Sequence, residues 1–158
     1  MQYILMAVLA AVITVADQLT KLAVVENIPL HGFVPAIDGL FHLTYTRNTG
    51  AAWSALEGAI WLFAVIFAVF TVLLAVELVK NKMGFTTFEK WCLAAVWAGG
   101  LGNMTDRLRL GYVVDMIALD FMEFPVFNVA DCFITCGCIA LLAHLVFFNK
   151  DFWKDGKK

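Results

Sequence analysis

Between Glu57 and Glu77 the chain reads Gly58-AIWLFAVIFAVFTVLLA-Val76, 19 residues without a charged side chain. A helix needs roughly 20 mostly apolar residues to cross about 30 Å of hydrocarbon. This stretch therefore predicts a membrane span near 58–79. Working outward, Cys132–Asn149 gives 18 more uncharged residues. Met1–Ala16 and Trp91–Thr105 are also uncharged but shorter. They reach span length only by admitting polar residues at one end: Asp17 and Lys21 in the first, Asp106 and Arg107 in the third. The pattern predicts an all-α membrane protein with four transmembrane helices, near 4–24, 58–79, 89–108 and 130–149.

Composition agrees. Of 158 residues, 62% are hydrophobic and 15% charged, against about 25% charged in a soluble domain. Disordered chains have the opposite composition. A net charge of −2 offers no field for a nucleic acid. No repeat, low-complexity tract or linker interrupts the chain, so one membrane-embedded domain over 1–158 is expected. The first apolar run lacks a basic n-region and is too long for a removable leader; it is expected to be retained.

Lysine and arginine in short loops set orientation. Lys80, Lys82 and Lys90 lie between spans two and three, and Lys150, Lys154, Lys157 and Lys158 follow span four. The other side holds Arg47, Arg107 and Arg109. Both termini are predicted to be cytoplasmic, with 25–57 and 109–129 facing outward. In the first outer segment Phe41, Leu43 and Tyr45 alternate with His42, Thr44 and Thr46, the period of a half-buried strand. Tyr112–Met116 and Phe124–Phe127 also favour strand. A small extracytoplasmic sheet is expected on the membrane surface, with Phe33, Trp53, Phe121 and Phe124 dipping into the interface; irregular loop is the alternative.

Ionisable groups in or beside spans are costly and call for a function or a partner. Asp17 and Lys21, four apart, share a helix face. They form either a pair that snorkels to the interface or a buried strut beneath a site. In Gly99-Gly100-Leu101-Gly102-Asn103 the glycines suit close helix packing. Asn103 and Arg107 share a face too polar for lipid, and Asp106 adjoins it. Asp115 ends an apolar run. Asp131 opens the fourth span, where it or Asn128 can serve as a cap or first-turn group. The topology nevertheless brings both carboxylates to the outer boundary. Two close carboxylates share one proton, so one serves as base and the other as acid. That apparatus suffices for metal-free peptide hydrolysis.

Rival chemistries fit poorly. Ser54 is the only serine and His144 lies at the far end of span four, which defeats a serine–histidine dyad. His31 and His42 lack a nucleophile-elbow context. There is no His-Glu-x-x-His and no Cys-x-x-Cys. Cys92, Cys132, Cys136 and Cys138 read as packing residues. A proton or ion relay would place charges through the inner half of the spans, whereas here they gather at the outer ends.

Five segments then fall in order: Asp17-QLT-Lys21, Arg47-NTGAAW-Ser54, Gly99-GLGNMTD-Arg107, Gly111-YVV-Asp115 and Phe124-PVFNVA-Asp131. Together they closely resemble lipoprotein signal peptidase, the bacterial type II signal peptidase, across nearly the whole chain. The resemblance implies a membrane aspartic endopeptidase of the bacterial inner membrane with its site on the extracytoplasmic face. Such enzymes remove signal peptides from prolipoproteins, cutting before a cysteine that carries diacylglycerol. The resemblance places the catalytic aspartates at Asp115 and Asp131. Polar residues around the site fall on Asn48, Asn103, Arg107 and Asn128; Asp17, Lys21, Gly50, Asp106 and Ala130 match further motif positions, as support. Thr105 and Cys132 depart from the family's usual apolar residue and serine. No metal or other cofactor is implied. The expected partners are diacylglyceryl prolipoproteins and the lipid bilayer, and the chain is expected to act as a monomer.

Overall fold

A computed structural model describes residues 1–50 and 58–149. Trp53, Ser54 and the four lysines after Asn149 lie outside the described residues. Four long helices and three short strands follow in the order α1 (Gln2–Asn27), β1 (Phe33–Ile37), β2 (Phe41–Asn48), α2 (Ile60–Lys80), α3 (Thr87–Leu110), β3 (Val113–Leu119) and α4 (Val129–Phe147).

Helix α1 is built inside out by the standards of a soluble bundle. Met6, Ala10, Ile13, Asp17, Lys21 and Val24 form its buried stripe, at the spacing of one helix face. Ile4, Val8, Val12, Val15, Leu19 and Leu22 point outward and are exposed. Apolar residues outside and a charged pair inside suit a surround of lipid, where charge must be buried within the protein. The same holds for α2, whose Trp61, Val65, Val69 and Val72 are exposed, and for Ile139, Leu142 and Val146 of α4.

Helices α1, α2 and α4 are long and apolar enough to cross a membrane. Helix α3 has the length, since 24 residues rise about 36 Å, but carries Glu89, Lys90, Asp106, Arg107 and Arg109. It tolerates them because it is the hub of the bundle, packed against α1, α2 and α4. Its glycines make this approach possible. A Cβ on Gly99 would lie 2.5 Å from the carbonyl oxygen of Ala130, and one on Gly102 would lie 2.5 Å from the Asp17 carboxylate. Helix α2 docks mainly on α3, with Trp97 Nε1 donating to Thr71 at 2.9 Å and Phe67 stacked on the Trp97 ring.

The strands form one antiparallel sheet in the order β1-β2-β3. Its buried face packs Tyr45, Val114 and Met116 on Val24 and Ile28 at the end of α1. The alternation over 41–46 is an actual strand. Phe33–Ile37, which carries no clean alternation, is strand as well, and every residue of it is exposed. Phe124–Phe127 is not a strand. Pro125 removes a backbone donor, and the segment meets β3 at Phe127 alone among its four residues, through a bridge to Ile117 and a bond from Met116 N at 2.9 Å. Phe33, Phe121 and Phe124 are exposed.

Candidate active site

Strand β3 and the start of α4 supply the two carboxylates. Helix α3 ends at Gly111, whose φ of 82° is the left-handed conformation glycine adopts without cost. The chain turns there into β3 and brings Asp115 back beside the bundle. Asp115 pairs in register with Thr46 on β2, and Asn48 pairs with Val113. Asn48 and Asp115 are therefore diagonal neighbours on one face, and the Asn48 amide donates to Asp115 at 2.9 Å.

Asp131 is placed by a helix cap. Asn128 is the N-cap of α4, and its side chain accepts from Asp131 N at 3.0 Å. The Asp131 carboxylate returns the bond to Asn128 N at 3.1 Å, completing a capping box. The Asn128 amide has a second task, donating to the other oxygen of Asp115 at 2.6 Å. Asn103 holds Asp131 through its own amide at 2.8 Å. Each carboxylate thus receives a side-chain amide from a different element, and Asn128 touches both. Asp115 is 2% exposed; Asp131 is half-buried. Burial pushes the Asp115 carboxyl up from 3.8 to about 6, against the pull of the Asn48 bond; the neighbouring Asp131 charge pushes further in the same direction.

Beneath this pair lies a buried ionic strut. Lys21 Nζ reaches Asp17 at 2.8 Å, Asp106 at 3.0 Å and Asn103 Oδ1 at 2.9 Å, which uses all three ammonium donors. Of the two sequence readings of Asp17 and Lys21, the buried strut is the observed one. The carboxylates also fix backbone: Asp17 accepts from Ala130 N at 3.0 Å, and Asp106 from Val114 N at 3.1 Å. The amides at Val114 and Ala130 immediately precede Asp115 and Asp131. Gln18 completes the strut, donating to Asp106 at 2.9 Å and to the Gly102 carbonyl at 3.2 Å. Sequence reading passed over Gln18; an amide beside Asp17 in an otherwise apolar span is the signal that marks it.

Arg107 closes the site from α3. It donates to the Gly50 carbonyl at 2.8 Å and sits 4.3 Å from the Phe63 ring centroid, a cation–π distance. Gly50 N in turn donates to Asn48 Oδ1 at 2.9 Å.

Asn48, Asn103, Arg107, Asp115 and Asp131 all line one cavity of about 710 Å³, within the range of ligand pockets. Its remaining walls are apolar: Phe63, Ile66, Phe67 and Phe70 of α2 face Ile134 and Cys136 of α4. The site is therefore amphipathic, with two acids at one end and a hydrocarbon-like trough below. Among the described residues no cluster of three or more metal-ligating side chains occurs, and the four thiols are free.

This architecture has known counterparts. The sequence model of the family described as Signal peptidase (SPase) II matches residues 9–147. The lipoprotein signal peptidase of Enterococcus faecalis (strain ATCC 700802 / V583) is 42% identical over 149 residues, covering 94% of this chain and 91% of that protein. That of Streptococcus agalactiae serotype Ia is 41% identical over 155 residues, covering 98% and 96%. A solved bacterial membrane enzyme, determined by the in meso method at 2.3 Å resolution, matches with a TM-score of 0.85 at 28% identity over 92% of this chain and 90% of that one. Sequence, fold and the span of the match agree: the chain belongs to the signal peptidase II family of peptidases.

Proposed function

We propose that this chain is a membrane aspartic endopeptidase that removes the signal peptide from prolipoproteins, cleaving before the diacylglyceryl-modified cysteine. The observation that carries the reading is the shared cavity: Asp115 and Asp131 line it together, each oriented by asparagine amides and flanked by an apolar trough. Family membership supports the substrate class. All four long helices span the bacterial inner membrane in this reading, both termini are cytoplasmic, and the site opens at the extracytoplasmic face. The protein works as a monomeric domain without a metal or other cofactor.

The lipidated substrate diffuses laterally, keeping its acyl chains in the bilayer. Its scissile peptide reaches the two acids, which hold one proton and a water between them. The ionised carboxylate takes a proton from water as the oxygen attacks the carbonyl carbon. The protonated partner donates to the carbonyl oxygen. As the tetrahedral intermediate collapses, the C–N bond breaks, the acid formed in the first step protonates the leaving amine, and its partner, now a carboxylate, takes a proton back from a gem-diol hydroxyl, which restores the single shared proton. The pair titrates as a unit. Burial of Asp115, which raises its pKa to about 6, favours retention of the shared proton. Asn48, Asn103 and Asn128 orient the acids, Arg107 holds the Gly50 carbonyl, and Asp17, Lys21, Asp106 and Ala130 brace the backbone below.

The direct test is Asp115→Asn and Asp131→Asn, made separately and assayed on one prolipoprotein with and without its diacylglyceryl group. Both variants should lose nearly all cleavage while remaining folded. Near wild-type turnover by either variant overturns the dyad, and equal rates on the two substrates overturn lipid dependence.

A further inference from the structure

Of the outer arginines, Arg107 lines the cavity and Arg109 donates to Gln18 at 3.4 Å. Arg47 has no place in the mechanism, yet its surroundings are built. Its Nε donates to the Tyr45 phenol at 2.9 Å. Its guanidinium carbon lies 4.8 Å from the Tyr112 ring centroid and 5.5 Å from that of Tyr45, and the two phenol oxygens are 3.3 Å apart. Tyr45 is itself 4% exposed, with its ring in the apolar cluster against α1. The exposed arginine is thus fastened to a residue of the buried cluster.

What it fastens is the end of β2. The ladder between β2 and β3 is interrupted between Leu43 and Thr46, and resumes only for the pairs Thr46–Asp115, Arg47–Val114 and Asn48–Val113. A bulge of this kind bends a strand locally; beyond it the end of β2 is held by these three pairs, by the Asn48–Asp115 bond, and by Gly50, whose N donates to Asn48 Oδ1 and whose carbonyl accepts from Arg107. Strand alternation puts Arg47 and Asn48 on opposite faces. Arg47 engages Tyr45 and Tyr112 on the face that packs toward α1, while Asn48 presents its amide to Asp115 on the opposite one.

We propose that Arg47, clamped between Tyr45 and Tyr112, is a positioning residue that holds the end of β2 so that Asn48 can orient Asp115. The proposal rests on the reading of Asp115 as catalytic. Charged and titratable groups acting at Asp115 are Asp131 from α4, Lys21 from α1 and Arg107 from α3. Arg47 lies across the strand from them and acts through Asn48.

The test uses the full-length enzyme in lipid nanodiscs with lipidated prolipoprotein, comparing wild type, Arg47→Gln, Asn48→Ala and the double variant. Arg47→Gln should lower kcat about tenfold, a misplacement effect, with KM near wild type. The alkaline limb of its kcat profile should move to higher pH, because Asp115 carries the shared proton and the Asn48 bond that holds its pKa down is weakened. The double variant should be no worse than Asn48→Ala alone, since both act through one contact. Tyr45→Phe keeps the ring in the core and removes only the phenol, so it should move kcat in the same direction and serves if Arg47→Gln does not fold. Arg47→Lys, keeping a cation over Tyr112, should recover part of the loss. Multiplicative losses in the double variant, or a raised KM with an unshifted pH profile, overturn the proposal by making Arg47 a substrate contact. Unchanged kinetics overturn it as well. Failure of the underlying reading is separate: it appears as full activity in Asp115→Asn.

Discussion

Replacing Lys21 by Met tests the strut beneath the site. Methionine keeps an unbranched chain of similar size but removes three donors and the only ammonium facing Asp17 and Asp106. Lys21 is 3% exposed, Asp17 0% and Asp106 3%, so solvent does not replace what is lost. Removing one partner of a buried ion pair costs about 3–5 kcal/mol. The lower end applies here, because Asp17 keeps the Ala130 amide and Asp106 keeps the Val114 amide and Gln18. At about 2–4 °C per kcal/mol for a chain of this size, Tm should fall by about 6–12 °C. Activity should fall with it, since Asn103, which holds Asp131, loses one of the two bonds to its Oδ1 and keeps only that from the Asn128 amide. Thermal unfolding in nanodiscs, followed by tryptophan fluorescence, reads the first effect, and cleavage of lipidated substrate the second. Adding Asp17→Asn to Lys21→Met removes one of the stranded charges and should recover part of the loss. A Tm within about 2 °C of wild type at full activity refutes the argument, and so does a double variant less stable than the single one.

Two further outcomes follow from the same geometry. An acid whose pKa is raised in the folded state binds protons more tightly there than when unfolded. Stability from Asp115 is therefore intact below pH 3.8 and declines as pH rises from 3.8 to about 6, by about 3 kcal/mol in all; Asp115→Asn should flatten that part of the Tm-against-pH curve. At the opposite end of α3, Glu89 caps the helix through Thr86 and bonds His144 at 2.8 Å and Asn149 at 2.8 Å. It lies 14 residues, or about 21 Å, from Asn103, so Glu89→Ala should cost about 1–2 kcal/mol of stability while leaving kcat per folded molecule unchanged.

What the letters revealed depended on how local the determining physics is. The apolar runs and the charged pair Asp17 and Lys21 were legible because hydrocarbon tolerates so few charges that each stands out; whether the pair snorkelled or was buried depended on helix α3 and was decided only by the structure. Asn128 and Asp131 were legible as capping candidates because a capping box is written within four residues. Helix α3 was harder: its charges suit a helix enclosed by protein, and enclosure is a property of the neighbours. The same limit hid the hold of Asn48 on Asp115, which depends on the register of two strands 67 residues apart. It also hid the Arg47 clamp, whose partners converge only once β2 lies on α1. Phe124–Phe127 misled because aromatic and β-branched residues favour strands, while its single bridge to β3 depends on tertiary contact.

The double duty of Asn128 bears on how the protein is made. The residue that starts α4 also grips Asp115, so the last long helix to leave the ribosome completes the site. Until residues 128–131 have emerged and wound their first turn, β3 presents a lone carboxylate with neither the Asn128 amide nor the second acid. A nascent chain carrying only the first three helices has no assembled pair to act with.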